Sequence, residues 1–252
     1  MYFTRLAGVL LLALLFSSCA TQSKFFEADA FSESEKAIGE KLHQEADYLA
    51  LIKCVQWEQS GSQWLGYKSV LSGAIFKKNG KYWILTAGHI RMPGEKTTSI
   101  EVCFKNQKDK YYKAKIFYRE FQKSVSGVDL AILEIQDKDF TFTGKTAVFG
   151  DSGKIQLGDL VVSLGHPDDH FWFYSLGRIK DMFYKNGSAA PYQLEHAAWS
   201  GYGGSGGPIL NKDGEVIGMN IMIYVGKQFS ISTRVTALTS ETIKKVIETK
   251  LP

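Results

Sequence analysis

Two stretches of the sequence read as pairs of strands that fold back on themselves at a two-residue turn. The run "SVLSGAIFKKNGKYWILTAGH" turns at Asn79-Gly80, and "PILNKDGEVIGMNIMIY" turns at Asp213-Gly214. Asn-Gly and Asp-Gly favour such turns because the central residues need a positive φ. The short apolar strands "DLAILEI" and "LVVSLGHP" lie between them, and no crossover helices connect them. The pattern therefore predicts an all-β sandwich or barrel rather than a parallel α/β sheet.

Helical periodicity is confined to the two ends of this strand-rich region. Ser32 and Glu35 fit a capping box, which predicts a short amphipathic helix over about residues 33–49. The segment "TALTSETIKKVIETK" predicts a second helix that closes the chain. Its apolar side carries Leu238, Ile243, Val246 and Ile247.

The N-terminal residues indicate export. Arg5 precedes the apolar run "LAGVLLLALLF", which is shorter than the roughly 20 residues that a spanning helix needs. The following "SSCA" resembles the lipobox of bacterial lipoproteins, although Phe16 stands where leucine is usual. We therefore predict a signal peptide over residues 1–18, lipid attachment at Cys19 and a lipid-anchored tether and short helix over 19–50. Ordinary secretion with cleavage nearby is the alternative.

Export changes the interpretation of the remaining cysteines and of the charge. In an oxidising compartment Cys54 and Cys103 could form one disulfide, but both lie in apolar strand-like runs where buried thiols fit equally well. Their spacing is not that of a zinc site, and we expect no metal and no cofactor. The net charge of +4 is too small to indicate a nucleic-acid partner.

The stretch "SGYGGSGGPIL" places Ser205 among glycines, as a flexible linker or a nucleophile turn would. A serine nucleophile needs a base, an acid that orients the base, and donors for the oxyanion. Of the five histidines, His89 follows a buried strand directly in "WILTAGHI". The other four fit a helix, a loop or a structural role: His43, His166, His170 and His196.

Asp129 is the candidate acid because it opens the apolar strand "DLAILEI". A carboxylate at the mouth of such a strand is expected to be partly buried, and a buried charge needs a partner. The three motifs occur in the order His, Asp, Ser, with wide spacing and strands around each. A histidine at a strand end and an aspartate in a turn are the structural alternatives.

This arrangement resembles the trypsin-like, chymotrypsin-fold serine proteases, and in particular their bacterial HtrA-type branch. The resemblance covers roughly residue 53 to the C-terminal helix, and "VVSLGHP", "GEVIGMN" and "FSISTRV" support it. It implies two antiparallel β-barrels with the active site between them, over residues 51–252, and the helices described above. No PDZ-like domain is expected after the catalytic unit.

The resemblance also assigns roles to individual residues. It implies that His89 is the general base, Asp129 its orienting acid and Ser205 the nucleophile. Gly203 and Ser205 would supply the backbone N–H groups of the oxyanion hole. Glycine suits position 203 because such turns often need a conformation that a Cβ disfavours.

The sequence departs from the family pattern near the serine. Gly204 stands where the HtrA-type pattern has asparagine, and Trp199 stands where trypsin carries its specificity aspartate. Trp199, Ser200 and Tyr202 replace smaller residues or proline on the approach to Ser205. Cleavage after Arg or Lys is therefore not expected, whereas an uncharged or small apolar P1 side chain is.

The sequence thus predicts a serine endopeptidase of the cell envelope that acts on proteins or peptides and is held to the membrane by its lipidated N-terminus. A catalytically silent scaffold or binding lipoprotein with the protease fold is one alternative. An esterase using the same triad is another. "GGSGG" matches the G-x-S-x-G elbow of α/β-hydrolases in letters, but the histidine precedes the serine and a hairpin follows it.

Overall fold

Two closed antiparallel barrels make up most of the computed structural model, which describes residues 30–60, 63–90, 96–122, 127–225 and 232–252. The predicted signal peptide and Cys19 lie outside the described residues. The first barrel consists of β1 (Leu49–Ser60), β2 (Gln63–Lys78), β3 (Lys81–Thr86), β4 (Lys96–Phe104), β5 (Tyr112–Phe121) and β6 (Asp129–Ile135). Its strands are hydrogen-bonded in the order β1-β2-β3-β6-β5-β4.

The second barrel repeats this arrangement in the C-terminal half of the chain. It consists of β7 (Leu160–Gly165), β8 (Phe173–Phe183), β9 (Gln193–His196), β10 (Pro208–Leu210), β11 (Val216–Val225) and β12 (Ser232–Thr239). Its strands are ordered β10-β11-β12-β9-β8-β7. The expected all-β architecture of two antiparallel barrels is therefore confirmed.

Helix α1 (Glu33–Glu45) packs on the outside of the second barrel. The predicted capping box is present: the Ser32 side chain accepts from the Glu35 amide, and the Glu35 carboxylate accepts from the Ser32 amide. Glu35 also pairs with Arg178 of β8 at 2.8 Å. All the elements belong to one compact unit, Ser32–Pro252.

The predicted end of this helix was wrong. Helix α1 ends at Glu45, and Leu49 is the first residue of β1, with its side chain fully buried in the core. Its apolar side chain fits the helical period and the strand equally well, so the sequence pattern alone did not separate the two.

Helix α2 (Ser240–Lys250) closes the chain as predicted, with Ile243, Val246 and Ile247 buried in the main core. Leu238 belongs to β12 instead of the helix, because Thr239 forms the N-cap and accepts a hydrogen bond from the Thr242 amide. Among the described residues, no helix is long and apolar enough to cross a membrane.

Cys54 and Cys103 are buried free thiols, not a disulfide. They lie on neighbouring strands, but Cys103 pairs with Leu51, and Cys54 is three residues further along β1. Successive side chains alternate between the faces of a sheet, so the two sulfurs point to opposite faces. Burial raises the pKa of Cys54 to about 12 and also raises that of Cys103.

Candidate active site

His89 lies at the end of β3, on a single 3-10 turn, Gly88–Ile90. Thr86 of β3 pairs with Ala131 of β6, so the end of β3 and the start of β6 share one rim of the first barrel. Gly88 lets this turn pass close to the backbone of β5, since a methyl group on it would lie 2.1 Å from the Glu120 carbonyl oxygen. The fold thereby brings the two candidate residues, His89 and Asp129, together.

Asp129 holds both the backbone and the ring of His89. Its Oδ1 accepts from the His89 amide at 2.8 Å, and its Oδ2 lies 2.7 Å from His89 Nδ1. Because a carboxylate only accepts hydrogen bonds, Nδ1 carries the proton and Nε2 is left as an acceptor. The Asp129 carboxylate is 12% exposed and the imidazole 27% exposed. Asp129 therefore fixes the orientation of the ring, and part of the ring remains exposed to solvent.

The glycine-rich stretch forms two successive β-turns. The Gly204 amide donates to Gly201 O at 3.0 Å, and the Gly207 amide donates to Gly204 O at 3.0 Å. The third residues of these turns, Gly203 and Gly206, have φ values of +93° and +86°. A type II turn requires a positive φ at this position. The letters G-Y-G-G and G-S-G-G thus encode a double turn, and Ser205 is the second residue of the second one.

Ser72 of β2 fastens this double turn to the first barrel. Its amide donates to Ser205 O at 2.9 Å, and its hydroxyl donates to Gly203 O at 2.7 Å. The same hydroxyl accepts from the His166 amide at 2.9 Å, and Thr86 Oγ1 donates to Ser72 O at 2.7 Å. Ser72 is fully buried. No motif in the sequence singles out Ser72, although a serine inside an apolar strand is itself a signal of buried polar contacts.

The Ser205 turn lies against the segment that leads into His89. A methyl group on Gly206 would lie 2.4 Å from Thr86 Oγ1 and 3.0 Å from the Ala87 nitrogen. In the described part of the chain, no hydrogen bond joins Ser205 Oγ to the His89 ring. Such contacts are often long in enzymes without substrate and shorten when it binds. The structure thus pairs His89 with Asp129 and brings the Ser205 turn beside them.

The amides of Gly203 and Ser205 are oriented by their neighbours. The peptide oxygen that precedes Gly203, Tyr202 O, accepts from the Asp168 amide at 2.6 Å, and Gly204 O accepts within its turn. In a trans peptide the N–H points away from the C=O, so both amides face away from these donors. Among the described residues, neither amide has a hydrogen-bond acceptor.

Three of the remaining histidines serve structural contacts. His43 Nε2 donates to Trp172 O at 2.7 Å, His166 Nδ1 accepts from the Trp172 amide at 3.0 Å, and His196 Nε2 donates to Asn220 Oδ1 at 2.9 Å. Burial lowers the pKa of His166 to about 3 and that of His196 to about 4, so both rings stay neutral at physiological pH.

The two aromatic residues that precede Ser205 in the sequence lie in different environments. Trp199 is buried and packs edge-on against Phe173 and His170, with ring centroids 5.1 and 5.7 Å apart. Tyr202 is 81% exposed. A methyl group on Gly204 would lie 2.1 Å from Ser200 Oγ, so the buried Ser200 occupies the space of the missing side chain at position 204.

The family model described as a trypsin-like peptidase domain matches residues 71–219. The chain is 33% identical over 160 residues to "Serine protease Do-like HtrA" of Bacillus subtilis, an alignment that covers 60% of this chain and 33% of the relative. It is 36% identical over 119 residues to "Probable periplasmic serine endoprotease DegP-like" of Rhizobium meliloti, covering 44% and 23%.

The fold is also that of solved proteases. The structure "HtrA-type protease AlgW with decapeptide" superimposes with a TM-score of 0.65 and 18% identity, covering 84% of this chain and 67% of that chain. The chain spans about a third of the length of the Bacillus subtilis relative.

Proposed function

The chain belongs to the trypsin-like peptidase family, and on that premise we propose that it is a serine endopeptidase that cleaves proteins in the bacterial cell envelope. Ser205 is the nucleophile, His89 the general base and Asp129 the residue that orients the base. The amides of Gly203 and Ser205 form the oxyanion hole. The observation that carries the proposal is the pair of hydrogen bonds that Asp129 accepts from the His89 amide and ring, beside the Ser205 turn.

The reaction begins when Ser205 Oγ attacks the scissile carbonyl carbon and His89 Nε2 accepts the hydroxyl proton. Asp129 stabilises the imidazolium and keeps the proton on Nδ1. The carbonyl oxygen becomes an oxyanion and accepts hydrogen bonds from the Gly203 and Ser205 amides. His89 then donates its proton to the leaving amine, and an acyl-enzyme remains. Water, deprotonated by His89, hydrolyses the ester and restores Ser205.

The substrates are proteins or peptides with an uncharged or small apolar P1 side chain. The similar solved protease is described with a decapeptide, which supports a peptide ligand. Trp199 stands where the trypsin specificity aspartate would be, and it is packed between aromatic rings. The bulky, uncharged indole at this position cannot form an ion pair with a basic P1 side chain.

The protein is exported and anchored by lipid on Cys19. The charged and apolar N-terminal pattern supports a signal peptide over residues 1–18, and the name of the Rhizobium relative supports a periplasmic location. The change Cys19→Ser tests the anchor: it should move the protein from the membrane fraction to the soluble fraction. Unchanged membrane association would contradict lipidation at Cys19.

Labelling with a fluorophosphonate probe tests the activity itself. The purified protein should be labelled at one site, and neither Ser205→Ala nor His89→Ala should be labelled at a comparable rate. The rates at which the labelled and the unlabelled enzyme hydrolyse casein and short ester substrates are then measured.

Each outcome separates the proposal from its alternatives. Labelling together with cleavage of casein supports the endopeptidase. Labelling with ester turnover but no peptide cleavage indicates an esterase, and no labelling at all indicates a silent scaffold. Both of the latter results contradict the proposal.

A further inference from the structure

The loop between β7 and β8 has an unusual backbone. Three of its non-glycine residues have positive φ: Asp168 at +45°, Asp169 at +63° and Trp172 at +58°. Residues in this left-handed region cost stability and persist where the surrounding structure holds them. The contacts that hold this loop lead directly to the Ser205 turn.

Asp168 makes hydrogen bonds to both backbone polar groups of Tyr202, and we call this pair of hydrogen bonds the grip. The Asp168 amide donates to Tyr202 O at 2.6 Å, and Asp168 Oδ1 accepts from the Tyr202 amide at 3.0 Å. The carboxylate fits because residue 201 is glycine, since a methyl group there would lie 1.9 Å from Asp168 Oδ2. The backbone of Asp168 has φ +45° and ψ +48°, a conformation that aspartate tolerates better than most residues.

The backbone half of this grip acts on the peptide that carries one of the oxyanion donors, because the Asp168 amide holds Tyr202 O. The carboxylate holds the Tyr202 amide, in the preceding peptide, and so keeps residue 168 in place beside Tyr202 O. Tyr202 O and the Gly203 N–H belong to the same peptide, at the centre of the turn Gly201 to Gly204. Type I and type II turns differ by about 150° or more in the two dihedral angles that flank this central peptide, so one converts to the other by a peptide flip. A flip would turn the Gly203 N–H toward Asp168 and the oxygen toward the site.

We propose that Asp168 is a positioning residue that holds the Tyr202–Gly203 peptide in the orientation in which the Gly203 amide can serve the oxyanion. The inference rests on the proposed function, since it concerns the oxyanion hole of that reaction. Asp168 acts through Tyr202, whose backbone it contacts. It lies 37 positions before Ser205 in the sequence, so no local motif connects the two.

Asp168→Gly and Asp169→Gly form a matched pair of variants. Each removes one carboxylate from a residue with positive φ, and glycine accepts that conformation without strain. Asp168→Gly keeps the backbone amide that donates to Tyr202 O, but it loses the carboxylate that holds this amide in place through Tyr202. The loss of a hydrogen bond to a charged group predicts fluorophosphonate labelling and peptide kcat about tenfold slower in Asp168→Gly. Its KM should stay within about twofold, because an oxyanion donor stabilises the transition state more than the bound substrate. Asp169→Gly should label at the wild-type rate, and Asp168→Asn should recover most of the loss because its amide oxygen can still accept from Tyr202.

The end point of labelling separates positioning from misfolding. Slow labelling that still reaches one probe per chain supports the inference. Equal rates in Asp168→Gly and Asp169→Gly, or slow labelling that stops short of one probe per chain, would overturn it.

Hydrogen exchange tests the grip without relying on activity. The Tyr202 amide should exchange about tenfold faster in Asp168→Gly than in Asp169→Gly, because only the former loses its acceptor. Equal exchange would overturn the inference. A wild-type chain that is not labelled at Ser205 would contradict the proposed function, and the exchange comparison would still decide the grip.

Discussion

Asp129 contacts His89 twice, with one carboxylate oxygen on the ring nitrogen Nδ1 at 2.7 Å and the other on the backbone amide at 2.8 Å. The first contact sets which nitrogen carries the proton. The second fixes the backbone of the short turn, Gly88–Ile90, that carries the ring. A single residue at the start of β6 therefore determines both the tautomer and the place of the proposed base.

Replacing Asp129 by asparagine should lower kcat by about 10⁴-fold, the size of the effect in other Ser-His-Asp enzymes. The asparagine side chain would donate its N–H to His89 Nδ1, which favours the tautomer with the proton on Nε2. A protonated Nε2 cannot accept the hydroxyl proton of Ser205. Peptide hydrolysis measures the effect. Asp139→Asn, at an exposed turn, is the control and should keep wild-type kcat. A loss below about tenfold in Asp129→Asn would refute the role.

The variant Gly203→Ala should lose activity by about 10²–10³-fold, as when one oxyanion donor is removed. Alanine disfavours φ +93°, and its methyl group would lie 2.5 Å from the His166 carbonyl oxygen. Gly187→Ala is the matched control, because Gly187 has φ +77° with nothing within 4 Å of the added methyl. It should cost about 1 kcal/mol of stability and no activity. Similar kcat values in the two variants would contradict the assignment.

Ser72→Ala should lower both stability and kcat. It leaves the buried His166 amide without its acceptor, which costs about 1–3 kcal/mol, and it frees the Gly203 carbonyl. Ser240 makes an equivalent pair of contacts far from the site: its hydroxyl donates to Gly150 O at 2.9 Å and accepts from the Ser152 amide at 3.2 Å. Ser240→Ala should therefore lose comparable stability in urea unfolding while keeping kcat. Equal kcat in both variants would show that Ser72 has only a structural role.

The protein should become less stable as the pH falls from about 6.5 toward 4. Burial lowers the pKa of His166 to about 3 and of His196 to about 4, whereas the unfolded chain binds these protons near the ordinary value of about 6.5. The unfolded state thus binds more protons in this window, and each histidine lowers the free energy of unfolding by at most about 1.4 kcal/mol per pH unit.

Urea unfolding at pH 7.5 and pH 5 measures this loss. His196→Gln, which keeps an N–H donor for Asn220 but has no titrating ring, should show a smaller difference between the two pH values. A wild-type stability that is equal at both would contradict the prediction.

Local signals predicted the parts of the fold that depend on neighbours in sequence. Asn79 and Gly80 adopt φ values of +50° and +79°, as their hairpin turn requires, and β6 covers the predicted residues 129–135. Burial in a strand and the propensity of turn residues are encoded within a few positions, and so is the Ser32 capping box.

Contacts between distant segments could not be predicted in this way. Ser72 and Gly203 are 131 positions apart, and Asp168 and Tyr202 are 34 apart, yet these contacts hold the Ser205 turn. They depend on how the two barrels and their loops meet, and hydrophobic periodicity carries no information about that. The glycines predicted the turn itself. The side chains that hold the turn in place, Ser72 and Asp168, lie in a strand and a loop that carry no motif.

The most direct test of the proposed function is the rate of peptide hydrolysis by Ser205→Ala compared with that of the wild-type protein. Both proteins should have the same midpoint of urea unfolding, so that a difference in rate does not come from misfolding. Loss of the nucleophile predicts a fall in kcat of about 10⁴–10⁶-fold, since the remaining groups cannot form an acyl-enzyme. A Ser205→Ala protein that cleaves peptides at a rate close to wild type would contradict the assignment of Ser205.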